Sequence, residues 1–127
     1  ILSLALARNN ITDETFKTFS LALDRLTNIN KLSLYCDQTM ITEKGLDFLS
    51  IPLAKMKLTE LVLIFPHNNI RESGVKTVME ILCQMKTLQD LRIDFSACHI
   101  SEELEKYYQE RLKQFLPECN FTILFHG

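Results

Sequence analysis

The chain is predicted to be an α/β solenoid of about four strand-turn-helix units and a closing strand. Its parallel sheet would form the concave face and its helices the convex face. Three observations carry this. Ile11, Ile41, Ile70 and Ile100 recur at steps of 30, 29 and 30 residues, a period that belongs to stacked repeats. Ahead of each isoleucine runs a short stretch of strict apolar alternation, the mark of a strand with one buried face. Behind each, apolar residues return at helical spacing.

The strands come first in each unit. Nine residues before the isoleucine column stand Leu2, Leu32, Leu61 and Leu91; seven before stand Leu4, Leu34, Leu63 and Ile93; five before stand Leu6, Cys36, Phe65 and Phe95. A fifth stretch, FTILF, repeats the phase with Phe121, Ile123 and Phe125. The helices follow. Phe16, Phe19, Leu23 and Leu26 mark the first; Leu46, Leu49, Leu53 and Met56 the second; Val75, Val78, Leu82 and Met85 the third. Tyr108, Leu112 and Phe115 keep the phase in the fourth, whose first turn Glu105 interrupts. Thr12, Thr42 and Ser101 are N-cap residues, and Asp13, Glu43, Glu72 and Glu102 put an acid in each first turn, where it meets the positive end of the helix dipole. Arg71 breaks the cap column, so the third helix should begin less tidily. Pro52 should kink the second helix or end it near Ser50.

Between strand and helix the chain turns sharply. Two residues before the isoleucines stand Asn9, Thr39, Asn68 and Cys98. Backbone groups in such a turn need partners, and a short amide side chain can bond to the neighbouring turn in a stack. The repeated "NNI" therefore reads as a structural hinge.

Length and composition fit this picture. A chain of 127 residues suffices for one domain, so residues 1–127 are taken as a single unit. It starts at Ile1, inside a hydrophobic pattern and without Met, which suggests a segment of a longer protein. A net charge of −2 gives no basic stripe for nucleic acid. No apolar run approaches the roughly 20 residues of a membrane span. Cys36, Cys83, Cys98 and Cys119 form no C-x-x-C pair or metal-ligand cluster. An even count would permit disulfides, but a chain that can build its own core does not need them, and Cys36 and Cys98 fall on repeat positions. Four reduced thiols and a cytoplasmic location are expected.

Leu58-x-x-Leu61-x-Leu63-x-Phe65-x-x-Asn68-x-Ile70 and Leu88-x-x-Leu91-x-Ile93-x-Phe95-x-x-Cys98-x-Ile100 resemble leucine-rich repeats. The long helical halves, with Gly45 and Gly74, look like the ribonuclease-inhibitor-like class, and the phrase "NNITDE" is similar to repeats abundant in ciliates and related protists. The resemblance spans the chain, departing at Thr39, at Pro52 and through the fourth helix, which looks like a modified terminal repeat. It implies a protein-binding scaffold, with a cytoskeletal or ciliary association among the settings. Some members of the class activate small GTPases from strand-to-helix turns, near which Arg8 and Arg71 fall, but no further constellation accompanies them.

Signals for catalysis are poor. Gly45, Gly74 and Gly127 are too far apart for a phosphate loop, so no cofactor is expected. His67, His99 and His126 lack carboxylate or cysteine partners at ligand spacing. Cys98 beside His99 invites a nucleophile reading, but neighbours on a turn point apart. The run "EELEKYYQERLK" reads as a solvated helix face with Glu–Lys pairs. The informative positions are the strand residues facing away from the helices: Ser3, Ser33, Val62, Arg92 and Thr122 in one column, Ala5, Tyr35, Ile64, Asp94 and Leu124 in the next, Ala7, Asp37, Pro66, Ser96 and His126 in the third. Apolar clusters on an open face mark contact surfaces, whereas single apolar strand residues also follow from β-propensity. Tyr35, Val62, Ile64, Arg92, Asp94 and Leu124 are thus the candidate residues for binding another protein or peptide. A regulatory subunit of an enzyme (a GTPase activator or ubiquitin-ligase adapter) and a structural part of a large assembly are the alternatives.

Overall fold

The structure, a computed structural model, describes residues 1–5, 11–26, 28–37 and 40–125. Strands and helices alternate: β1 (Leu2–Ala5), α1 (Asp13–Leu23), β2 (Lys31–Tyr35), α2 (Glu43–Leu53), β3 (Glu60–Ile64), α3 (Glu72–Cys83), β4 (Asp90–Asp94), α4 (Glu102–Phe115) and β5 (Asn120–Leu124). The strands form one five-stranded sheet in sequence order, with every pair parallel. The register reproduces the sequence columns: Leu2, Leu32, Leu61, Leu91 and Phe121 lie side by side, as do Leu34, Leu63, Ile93 and Ile123. Because side chains alternate along a strand, a shared register puts all these residues on one face. Successive helices pack on one another and cover that face, leaving the other open.

The core grows from this stacking. Leu32, Leu34, Leu61, Leu63, Leu91 and Ile93 are buried. At the end of the strands Phe65, Phe95 and Phe125 form a ring stack with centroids 6.1 and 5.8 Å apart. Cys36 holds the same position in the second unit; its small side chain leaves room for Phe16 of α1 to reach Phe65 edge-on at 5.8 Å. Ile41, Ile70 and Ile100 are buried as their column requires, and Ile11 is half-buried. Leu26 and Phe115, expected in the apolar stripes, instead lie 49% and 37% exposed. Leu26 belongs to the first unit, which has a neighbouring unit on one side alone among the described residues, whereas the equivalent Met56 and Met85 lie between units and are half-buried and buried; the cause for Phe115 is the spacing of α4 described below.

The caps match the sequence. Thr12, Thr42 and Ser101 accept hydrogen bonds from the N–H groups of Thr15, Lys44 and Leu104, while Arg71 makes no side-chain cap. The first-turn acids also link the units. Asp13 accepts from the N–H and hydroxyl of Thr42, at 2.8 and 2.5 Å, and Glu72 accepts from the N–H of Ser101 at 3.0 Å. Pro52 does not end α2 at Ser50: the helix runs to Leu53 with Pro52 buried in its last turn. So near a terminus the proline forfeits a single helical hydrogen bond, and the Ser50 and Pro52 carbonyls still accept from Ala54 and Lys55.

The hinge reading holds where the structure describes it. Asn68, 3% exposed, donates through Nδ2 to the carbonyl of Cys36 in the preceding unit at 2.7 Å and to Phe65 at 3.1 Å. Cys98 repeats the first contact one unit on, its thiol donating to the Phe65 carbonyl at 3.2 Å. His67 and Ala97, one residue earlier in their turns, have φ of 58° and 55°, the left-handed conformation that reverses the chain. Leu6, Asn9 and Thr39 lie outside the described residues.

The last unit carries a device of its own. In the inner units the N–H that follows each strand donates to the next strand: Cys36 to Ile64, Phe65 to Asp94, Phe95 to Leu124. The corresponding N–H of Phe125 donates to the Glu105 carboxylate at 2.6 Å. Glu105 is 6% exposed and occupies the column of Leu46 and Val75. The apparent interruption in α4 thus gives the Phe125 N–H a side-chain acceptor where the inner units use a strand carbonyl.

Candidate interaction face

The open face of the sheet collects every side chain that alternation turns away from the helices. Val62 lies between Ser33 and Arg92, and the next row runs Tyr35, Ile64, Asp94, Leu124. All six candidate binding residues therefore share one surface. Tyr35 and Leu124 are 37% and 40% exposed, Arg92 is exposed, and Val62, Ile64 and Asp94 are half-buried. Tyr35 and Ile64 are direct neighbours, and Val62 flanks Ile64 two residues back along β3, so these three make one apolar patch. Leu124 is cut off from it by Asp94, which accepts a hydrogen bond from the N–H of Ser96 at 2.9 Å. His126 and Ala7 of the third column lie outside the described residues, as does Arg8.

Charge borders the patch. Lys31 and Glu60, adjacent in register, form an ion pair at 3.3 Å with both side chains well exposed, a geometry worth little in water. Asp90 and Asp94 stand on either side of Arg92 along β4, and Asp37 follows Tyr35 at the strand end. A shallow depression of about 330 Å³ lies over β3–β5, with Val62, Arg92 and Thr122 on its floor. Its open, mixed lining suits surface contact more than enclosure of a small molecule.

Among the described residues, the groups weighed for chemistry are not brought together. His67 and His99 are exposed on their turns, whereas Cys98 is buried with its thiol engaged to the Phe65 carbonyl. Burial pushes the Cys98 thiol up from its ordinary pKa, as it does those of Cys83 and Cys119, and raises Cys36 to about 12; each is the reverse of nucleophile activation. None of the four cysteines is bridged to another. Arg71 is exposed at the start of α3. Among the described residues no group of three or more His, Cys, Asp or Glu could hold a metal ion, and no helix is long and apolar enough to cross a membrane.

Sequence reasoning missed a second cluster. Arg111 lies over the rings of Tyr107 and Phe115, 5.4 and 4.9 Å from their centroids. It pairs with Glu80 of α3 at 2.8 Å, so α4 spends this charge across helices and not on a Glu–Lys pair along its own face. The signal was there: Tyr107, Arg111 and Phe115 are spaced four apart, on one helix stripe. In comparisons with known proteins, no family model matches the chain and no curated protein matches it significantly.

Proposed function

We propose that the chain is a leucine-rich-repeat solenoid of the ribonuclease-inhibitor-like kind that works as a protein-interaction scaffold, binding a protein or peptide on the concave, open face of its sheet. The observation that carries this is the Tyr35–Val62–Ile64 patch: apolar side chains in contact register on a sheet face that none of the described helices covers. The sheet is rigidly paired, so binding would order little of the scaffold and lose little to entropy. Four unbridged thiols suit a reducing compartment, and the cytoplasm is the proposed location.

Size bears on the mode of contact. Five strands at about 4.8 Å and five residues at about 3.3 Å give a face of about 400 Å², against about 800 Å² per partner in a standard interface. Turns, helices or further repeats would share a full-size footprint.

The test compares the protein with its Tyr35→Ala/Ile64→Ser variant. Both positions face away from the core, so the melting temperature should stay close to that of the original. Proteins captured from a lysate of the native cell should then be lost or strongly reduced with the variant, each anchor being worth about 2 kcal/mol. The same partners returning at undiminished strength would overturn the open-face reading.

A further inference from the structure

We propose that the groove between α3 and α4 is a second docking surface, one that takes an acidic amphipathic segment of another protein. The groove originates in one substitution within the repeat. Three residues after the N-cap, α2 and α3 carry Gly45 and Gly74. A side chain at Gly45 would start 2.7 Å from the Asp13 carboxylate and from Ile41, and one at Gly74 would start 2.9 Å from the Glu43 backbone. Glycine at these points is what lets α1, α2 and α3 lie close. The same position in α4 is Leu104. α4 accordingly touches α3 far more sparsely than α2 does, and depressions of about 480 and 330 Å³ open along the pair.

The walls are of the type that anchors partners. Tyr107 and Phe115 are 50% and 37% exposed with Arg111 lying over both rings, and Lys86 lies 5.4 Å from the Phe115 centroid. Tyrosine and arginine are the residues over-represented at binding hot spots.

Charge selects the occupant. Lys76, Lys86 and Arg111 line the groove against one carboxylate, Glu80. Both oxygens of Glu80 are already engaged, one by Arg111 and the other by the Tyr108 hydroxyl at 2.9 Å. Glu72 offsets Lys76 in part, but Lys86 donates only to the Phe115 carbonyl and has no carboxylate within ion-pair distance among the described residues. This is a local positive excess in a chain of net charge −2. The opposite flank of α4, which Tyr107 and Arg111 also border, sets Lys106 and Arg111 against Glu103 and Glu110 and has no such excess. A helical segment with an apolar stripe and flanking Asp or Glu would set the stripe between Tyr107 and Phe115 and its acids against Lys86 and Lys76. α4 offers about 21 Å of length for it.

The experiment is to pan a random linear-peptide library on phage against the protein and measure the enriched sequences as synthetic peptides by fluorescence anisotropy. We expect a class rich in Asp and Glu with aliphatic or aromatic residues at helical spacing. Its affinity should fall about tenfold or more with Lys86→Glu and with Tyr107→Ala, and should weaken as salt rises. It should be unmoved by Tyr35→Ala/Ile64→Ser. Lys86→Gln, which keeps a donor for the Phe115 carbonyl, serves if Lys86→Glu alters the melting temperature. Failure to enrich such a class overturns the proposal, as does binding indifferent to Lys86 and Tyr107. Loss of the acidic class with the Tyr35/Ile64 variant also overturns it, by assigning the acidic segment to the sheet face.

Discussion

Glu105 provides the sharpest test of the architecture, because two readings of it predict opposite results. By repeat position it replaces an apolar residue, so Glu105→Leu would restore the pattern of Leu46 and Val75 and stabilise. By its contact it accepts the Phe125 N–H at 2.6 Å in a site where Glu105 is 6% exposed and Phe125 fully buried. Leucine then leaves a buried donor without an acceptor and shields it from water, at a cost of about 1–3 kcal/mol. For a chain of this length that is a fall in melting temperature of roughly 4–12 °C. Glu105→Gln, which keeps an acceptor oxygen, should lose less than Glu105→Leu. Glu103→Ala, exposed on the same helix turn, should stay within about 0.5 kcal/mol. Thermal unfolding by circular dichroism ranks the four proteins. Hydrogen exchange should show faster exchange at β5 in Glu105→Leu before β2 and β3 respond. A Glu105→Leu protein at least as stable as the original would refute the acceptor role.

Three further outcomes follow from the same structure. Val78 is fully buried and Lys76 exposed, so Val78→Asp should cost about 4 kcal/mol while Lys76→Asp changes little; equal melting temperatures would show the phase of α3 to be wrong. The hydrogen bonds from Ser101 hold the Glu72 carboxyl below its ordinary value of 4.5. Its contribution is therefore complete above pH 4.5 and is lost as pH falls through the lower folded value; Glu72→Gln should flatten that acid limb slightly, and an unchanged acid titration of stability would count against the link. Maleimide at neutral pH should label the native thiols slowly, Cys36 least of all given its pKa of about 12, and should find four after non-reducing denaturation; two or none would mean disulfides.

Much of the fold was legible because repetition lets one unit check another. A single LSL or LVL could be strand or helix, but four copies in phase allow only a register that puts Leu32, Leu61 and Leu91 side by side. The open-face residues followed from the same alternation, which is why Tyr35, Ile64, Asp94 and Leu124 emerged as neighbours. The threonine and serine caps were equally plain, since a cap is a contact between residues three apart or fewer.

Contacts across units were another matter. Nothing local says that Glu105 meets Phe125, twenty residues on, or that Gly45 is small in order to admit Asp13. Pro52 looked like a helix terminator because propensity weighs the residue; its buried place in the last turn of α2 costs one hydrogen bond. Arg111 read as solvated charge until Glu80, Tyr107 and Phe115 surrounded it. Periodicity belongs to the chain, so the sequence alone determined strands, register and which face would be open. The spacing of α4 from α3, the acceptor for the last strand and the charge of the groove depend on distances between units, and these arise only when side chains compete for the same space.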